Sequence, residues 1–219
     1  SLNMNKNYTS EDLSSEVLKK LKSFINEEEI KAIVITVPAK FTINQKDATV
    51  RAAKLAGFQH CELLQEPIAA SMAFGLNSKE KNGLWLVFDF GGGTFDAAII
   101  KSEEGIMKVL DTEGDNYLGG KNIDFAIVDE IIIPYLENNY KIDSILSNDS
   151  KREILREAMK YFAEEAKIQL SFKDAHNILS DLGDIPGKDD DGNEFELDIN
   201  LTQDMYRKVV GPIFQRSEE

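Results

Sequence analysis

One short stretch constrains the folding of this chain more than any other: Phe88-Asp89-Phe90-Gly91-Gly92-Gly93-Thr94-Phe95-Asp96. Runs rich in β-branched and aromatic residues, 84–90 and 94–100, lie on either side of three consecutive glycines. Glycine has no Cβ, so the backbone can reverse tightly here, and the pattern predicts a turn between two antiparallel strands. A third strand over residues 107–111 would make the unit a meander. Consecutive glycine N–H groups can also converge in one concavity and hold phosphate oxygens. Thr94 adds a hydroxyl donor, and Asp89 and Asp96 are placed to hold Mg²⁺, mostly through water. The plainer alternative is a hairpin with a loose turn. Three glycines bracketed by two aspartates and a threonine favour phosphate. The segment is not a Walker-type loop, because no Gly-Lys-Ser/Thr follows and the next element is a strand. It is not Gly-x-Gly-x-x-Gly either, because Asp96 takes the last position.

Before this stretch the periodicity alternates between helix and strand. Ser10, Glu11 and Asp12 open a helical segment whose apolar residues are Leu13, Val17, Leu18, Leu21 and Ile25. Residues 31–38 form a β-branched run that reads as a buried strand stopped by Pro38. Residues 45–56 read as a helix ended by Gly57. Residues 61–64 are a short strand, and Pro67 suits the first turn of the helix that follows. This order implies an α/β layer with a largely parallel sheet. Beyond the meander, helices are expected over 123–140 and 152–170. Hairpin strands are expected over 177–182 and 194–200, with Asp189-Asp190-Asp191-Gly192-Asn193 as their turn. Thr202 caps a last helix over 203–215. The fold class is α/β: a mixed sheet with helices, plus a helix-and-hairpin α+β subdomain.

Charge narrows the function. Lys and Arg total 25 against 39 Asp and Glu, a formal net charge of −14, which disfavours a nucleic-acid partner. A nucleotide is still compatible, since it needs only a local pocket of donors and a metal. The one cysteine, Cys61, allows no intrachain disulfide, which fits a reducing, cytoplasmic setting. Residues 1–9 lack the apolar core of a signal peptide, and no run approaches the ~20 apolar residues of a membrane span. His60 and Cys61 are strand neighbours that point to opposite faces, so a core cysteine is the better reading than a thiol nucleophile. His176 stands alone, which argues against zinc. For a calcium loop, Gly187 would have to occupy the first ligand position, so Asp189–Asn193 reads as a polar turn.

The nine-residue glycine stretch resembles the second phosphate motif of the 70-kilodalton heat-shock (DnaK-type) chaperones, members of the actin-like ATPases with a ribonuclease-H-like fold. Other matches follow in the family's order. Tyr8-Thr9-Ser10-Glu11-Asp12-Leu13 resembles its helix entry, and Ile35-Thr36-Val37-Pro38-Ala39 its strand-to-proline signature. Glu66-Pro67-Ile68-Ala69-Ala70 resembles Glu-Pro-Thr-Ala-Ala. Gly114-Asp115-Asn116-Tyr117-Leu118-Gly119-Gly120 resembles Gly-Asp-Thr-His-Leu-Gly-Gly. Residues 164–171, Glu-Glu-Ala-Lys-Ile-Gln-Leu-Ser, resemble the adenosine-contacting helix.

The resemblance implies roles for named residues. Gly91, Gly92, Gly93 and Thr94 would hold the β- and γ-phosphates of ATP or ADP. Glu66, Asp89 and Thr94 would form the catalytic set, with Asp89 and Asp96 supporting Mg²⁺. Gly119 and Gly120 would lie near the ribose and phosphates, and Glu164, Lys167, Ile168 and Ser171 would meet the adenosine. Pro38 and Lys46 would belong to an interlobe relay. Residues 1–80 would be the second half of the lobe I core, and 81–118 the lobe II core with the phosphate hairpin. Residues 119–208 would be the lobe II outer subdomain, and 209–219 the start of the return to the core. The implied partners are unfolded client peptides, through a peptide-binding domain that the sequence lacks, and a nucleotide-exchange factor.

Departures from the family qualify those roles. Glu62 stands where the family has a cation, which argues against ordinary coupling to a J-domain co-chaperone. Lys40 replaces a tyrosine, Lys46 an arginine and Lys121 an acid. The first phosphate motif, the catalytic lysine and the Gly-Gly-Ser-Thr/Arg adenosine motif are not in the sequence. The expectation is therefore an engineered fragment of a divergent member, with little ATPase activity alone. Two other readings remain open at this stage: a pseudo-enzyme or exchange-type partner with the same fold, and another actin-like ATPase such as a sugar kinase.

Overall fold

Thr9 starts the first helix. Its hydroxyl accepts from the Asp12 N–H at 3.2 Å and its own N–H donates to the Asp12 carboxylate at 2.9 Å, so α1 runs Ser10–Lys22 from a capping box. Strand β1, Ala32–Val37, follows, then α2, Ile43–Leu55, then β2, His60–Gln65. β1 and β2 pair in parallel, with Ala32 opposite His60 and Val37 opposite Gln65. Gly57, at φ +87°, lets the chain turn from α2 towards β2. α3, Glu66–Gly75, begins at the residue after β2, so Glu66 sits at a strand-to-helix junction.

The glycine turn joins β3, Gly83–Phe90, to β4, Phe95–Glu103, and β5, Ile106–Asp115, completes a sheet of order β3-β4-β5. This is the expected meander. β4 and β5 are antiparallel, Phe95 facing Asp115 and Asp96 facing Gly114, with a bulge between Ile99 and Ile100.

The remaining elements are α4, Gly120–Ile127; a π-helical turn, Val128–Ile132; α5, Ile133–Asn139; α6, Asp143–Leu146; and α7, Asp149–Leu170. β6, Ala175–Leu179, then pairs antiparallel with β7, Asp198–Thr202, and α8, Gln203–Gln215, follows. The computed structural model describes residues 7–25, 30–75, 82–104 and 106–217. The expectations for residues 1–6 and for a boundary at 80/81 lie outside them. The chain divides into two compact units. Unit 1 is Ser1–Asp89 with Thr94–Asn116, and unit 2 is Phe90–Gly93 with Tyr117–Glu219.

Three expectations need correction. The helix over 123–140 is interrupted by the π-helical turn Val128–Ile132, after which α5 restarts at Ile133 with Pro134 in its first turn, where a missing N–H is tolerated. The hairpin strands lie at 175–179 and 198–202, not at 177–182 and 194–200. Phe195 and Leu197 are buried in strand-like alternation, but the Leu197 N–H donates to Ser180 Oγ at 2.8 Å instead of to a ladder carbonyl. Asp189–Asn193 is accordingly a polar turn inside a longer connection. The Asp189 carboxylate accepts from the N–H groups of Asp191 and Asn193 and from Asn193 Nδ2. Finally, β1 is not buried on both faces. Ile33 and Ile35 pack against Ala53, Ala56 and Phe58, while Val34 is 61% exposed.

Candidate functional site

In unit 2 the glycine turn is fastened to the start of α4. Gly120 N–H donates to Gly91 O at 2.9 Å and Lys121 N–H to Gly92 O at 2.8 Å. These are first-turn donors that a helix cannot satisfy internally, and the turn's carbonyls supply their acceptors. Asn122 closes the corner, its Oδ1 accepting from Gly119 N–H at 2.9 Å. Gly119 is extended at φ 179°, so its glycine is required by proximity and not by conformation. A Cβ there would stand 2.6 Å from Gly93 N and 2.7 Å from Gly91 O. The two glycine segments thus pack backbone to backbone. Gly92 and Gly93 are exposed, with nothing within 4 Å of an added Cβ. Their surface is open to a ligand.

Lys167 reaches the same corner from α7. Its ammonium pairs with Asp124 at 2.5 Å, lies 3.4 Å from Gly120 O, and would be 3.3 Å from a Cβ on Gly120. Asp124 is buried at 2% exposure, so one carboxylate among apolar neighbours holds the lysine in place. Sequence reasoning missed Asp124. It stands between the buried residues Ile123 and Ile127 on α4, and a charge inside an apolar stripe was the available signal. Of the other adenosine candidates, Glu164 and Ile168 are exposed on α7, with Glu164 near Lys160 at 4.0 Å. Ser171 caps the helix and donates to Lys167 O at 3.2 Å.

In unit 1, three carboxyl groups influence one another. Burial pushes the Glu66 carboxyl above the usual range, and the charges of Asp89 and Asp96 add to that. Asp96 is 1% exposed, and burial raises it as well. The backbone N–H groups of Ala39 and Lys40 oppose the rise, and Asp89 adds to it. Asp96 Oδ1 is buried without a hydrogen-bond partner. A buried acceptor without a donor, beside further carboxylates, is a site short of positive charge, and a hydrated divalent cation fits it. Among the described residues no three His, Cys, Asp or Glu side chains converge to ligate a metal directly. Thr94, the first residue after the turn, lies in this unit with Asp89. Pro38 is buried at the end of β1, and Lys46 lies in α2.

The lone cysteine, Cys61, is half-buried against the Ala53–Ala56–Phe58 cluster instead of lying in the core, and burial raises its thiol pKa, which lowers its reactivity. No helix among the described residues is long and apolar enough to cross a membrane.

A family profile described as "Hsp70 protein" matches residues 1–219. The chain is 35% identical over 217 residues to "Chaperone protein DnaK" of Mycoplasmopsis pulmonis (strain UAB CTIP), covering 98% of this chain and 35% of that protein. It is 43% identical over 171 residues to "Chaperone protein dnaK" of Cyanidium caldarium, covering 76% of this chain and 26% of that protein. The chain spans about a third or less of the length of these relatives.

Proposed function

The chain belongs to the Hsp70 family, and from that premise we propose that it is part of the ATP-binding domain of a DnaK-type chaperone with the actin-like ATPase fold. In the intact protein, ATP binding and hydrolysis drive the binding and release of unfolded client peptides, helped by a nucleotide-exchange factor in a cytoplasmic setting. On this reading residues 1–80 are lobe I core, 81–118 lobe II core, 119–208 the outer subdomain and 209–219 the return.

The observation that carries the reading is the backbone contact between Gly119 and Gly91–Gly93. Two glycine segments, matched to two different motifs of the same family, lie against each other, and the approach requires that Gly119 carry no Cβ. Gly92, Gly93 and Thr94 then offer N–H and hydroxyl donors to phosphate oxygens. Lys167, held by Asp124, gives positive charge to the Gly120 side of the cradle, and Ile168 with Glu164 and Ser171 meets the adenosine. Asp89 and Asp96 would hold a hydrated Mg²⁺, which would supply positive charge when bound. Glu66, whose carboxyl is raised by burial and by the charges of Asp89 and Asp96, is the candidate to take a proton from an attacking water. Phosphoryl transfer to water needs positioning and charge stabilisation more than covalent help, and these residue types provide both.

Calorimetry of Mg²⁺-ADP and Mg²⁺-ATP binding to this chain, beside its Gly92→Val variant, tests the reading. Binding by the wild type and loss in the variant is the expected outcome. Equal binding by both proteins would remove the glycine turn from the site.

A further inference from the structure

The turn after β1, Pro38-Ala39-Lys40-Phe41, closes with the Phe41 N–H donating to Pro38 O at 3.2 Å. Everything around it belongs to unit 1 and connects to the carboxylate group. The backbone N–H groups of Ala39 and Lys40 face the Asp96 carboxyl. Ala39 O accepts from Gln65 Nε2 at 3.5 Å, and Gln65 directly precedes Glu66. Lys40 O accepts from Asn116 Nδ2 at 3.5 Å. Both of these bonds are long and weak. The short tie is electrostatic: Lys40 Nζ lies 2.6 Å from Glu113 Oε2. Glu113 adjoins Gly114, which backs directly onto Asp96. A Cβ on Gly114 would run into the Phe95 carbonyl oxygen and stand 3.3 Å from Asp96 Oδ1. Lys40 therefore joins the turn to β5 beside the residue whose free oxygen faces no donor.

We propose that Lys40 is a positioning residue for the Glu66–Asp89–Asp96 group: its ion pair with Glu113 fastens the Pro38–Phe41 turn to β5 and so sets how Asp96 presents its unpartnered oxygen to a divalent cation. The inference rests on the nucleotide reading above and adds to it a residue of this chain that touches neither nucleotide nor metal. The pair itself is exposed, the Glu113 side chain at 82% and Lys40 at 35%. Such pairs contribute at most about 1 kcal/mol to stability, so removing this one should leave the fold intact. The Lys101–Glu103 pair on β4, 2.9 Å apart, is a matched surface control away from the turn.

The test is a Mg²⁺ titration of ADP binding by calorimetry. The proteins are wild type, Lys40→Met, Glu113→Gln, the double swap Lys40→Glu/Glu113→Lys, and Lys101→Met. Lys40→Met and Glu113→Gln should each raise the Mg²⁺ concentration at half-effect by about fivefold, the factor equivalent to the ~1 kcal/mol ceiling of an exposed pair. Metal-free ADP affinity and the melting temperature should stay at wild-type values. The double swap should restore the wild-type Mg²⁺ requirement, and Lys101→Met should not move it. A wild-type requirement in Lys40→Met, or no rescue by the swap, overturns the inference and leaves the nucleotide reading standing. A wild-type chain that binds no ADP at any Mg²⁺ concentration overturns that reading, and this inference with it.

Discussion

The two units bury their apolar residues in different ways. In unit 2, α7 lies across β6 and the helices around it, and Leu136, Met159, Phe195 and Leu201 are fully buried in one continuous core. In unit 1 the buried cluster is small, Ala53, Ala56 and Phe58, while Leu84, Leu86 and Phe88 stand exposed in alternation on β3. Strands in both units carry apolar residues on alternate positions, such as Leu84, Leu86 and Phe88 on β3 and Ile199 and Leu201 on β7. What differs is cover: a strand's apolar face is buried only where a helix or second sheet lies over it. Hydrophobicity along the chain thus predicts which residues can be core, and topology decides which of them are.

Breaking the buried Lys167–Asp124 pair should have the largest effect. Asp124→Ala leaves an ammonium without its partner and is expected to cost about 3–5 kcal/mol, read from urea unfolding. Leu136→Ala opens a cavity in the unit 2 core and should cost about 2–5 kcal/mol. Gly119→Ala forces a methyl against Gly93 N and Gly91 O, so the turn or α4 must shift, at about 1–3 kcal/mol. Gly92→Ala, with open space around it, should be near neutral for stability.

Asp96→Asn should act in the opposite direction, and its effect depends on pH. The Asp96 pKa is raised on folding, so its charge opposes the folded state above that pKa and costs nothing below the ordinary carboxylate value of about 4. Without Mg²⁺, the variant should therefore melt higher than wild type at pH 7, with the gain vanishing by about pH 3. Glu66, raised for the same first cause, should behave alike. The smallest change belongs to Leu86→Ala, within about 0.5 kcal/mol because the side chain is exposed. A loss near that of Leu136→Ala would mean that β3 is covered in solution and would end the contrast between the units.

Much of this architecture was legible from local signals. Thr202 capped α8 where expected, its Oγ accepting from the Met205 N–H at 3.4 Å, and Gly57 ended α2. The three-glycine turn and its meander followed from residues with few conformational alternatives. Exposure was not legible: Leu13, Val17 and Leu21 have helical spacing but stay largely exposed on α1. Nor was the π-helical turn, because the apolar period runs through Val128 and Ile132 without a break. In the candidate site, residue types and order could be read from the chain. The partnerships Lys167–Asp124 and Lys40–Glu113 join residues far apart in sequence, and no periodicity encodes them.

The bonds from Gly120 and Lys121 to the glycine turn carry one more consequence. Because the turn's carbonyls supply the acceptors for the first donors of α4, the helix start and the turn cannot move separately without breaking those bonds. Anything that pulls on Gly91 or Gly92 is therefore felt as a tug on the end of a rigid rod. The amide resonances of Gly120 and Lys121 form a built-in strain gauge, reporting load on the turn from a position one helix-start away.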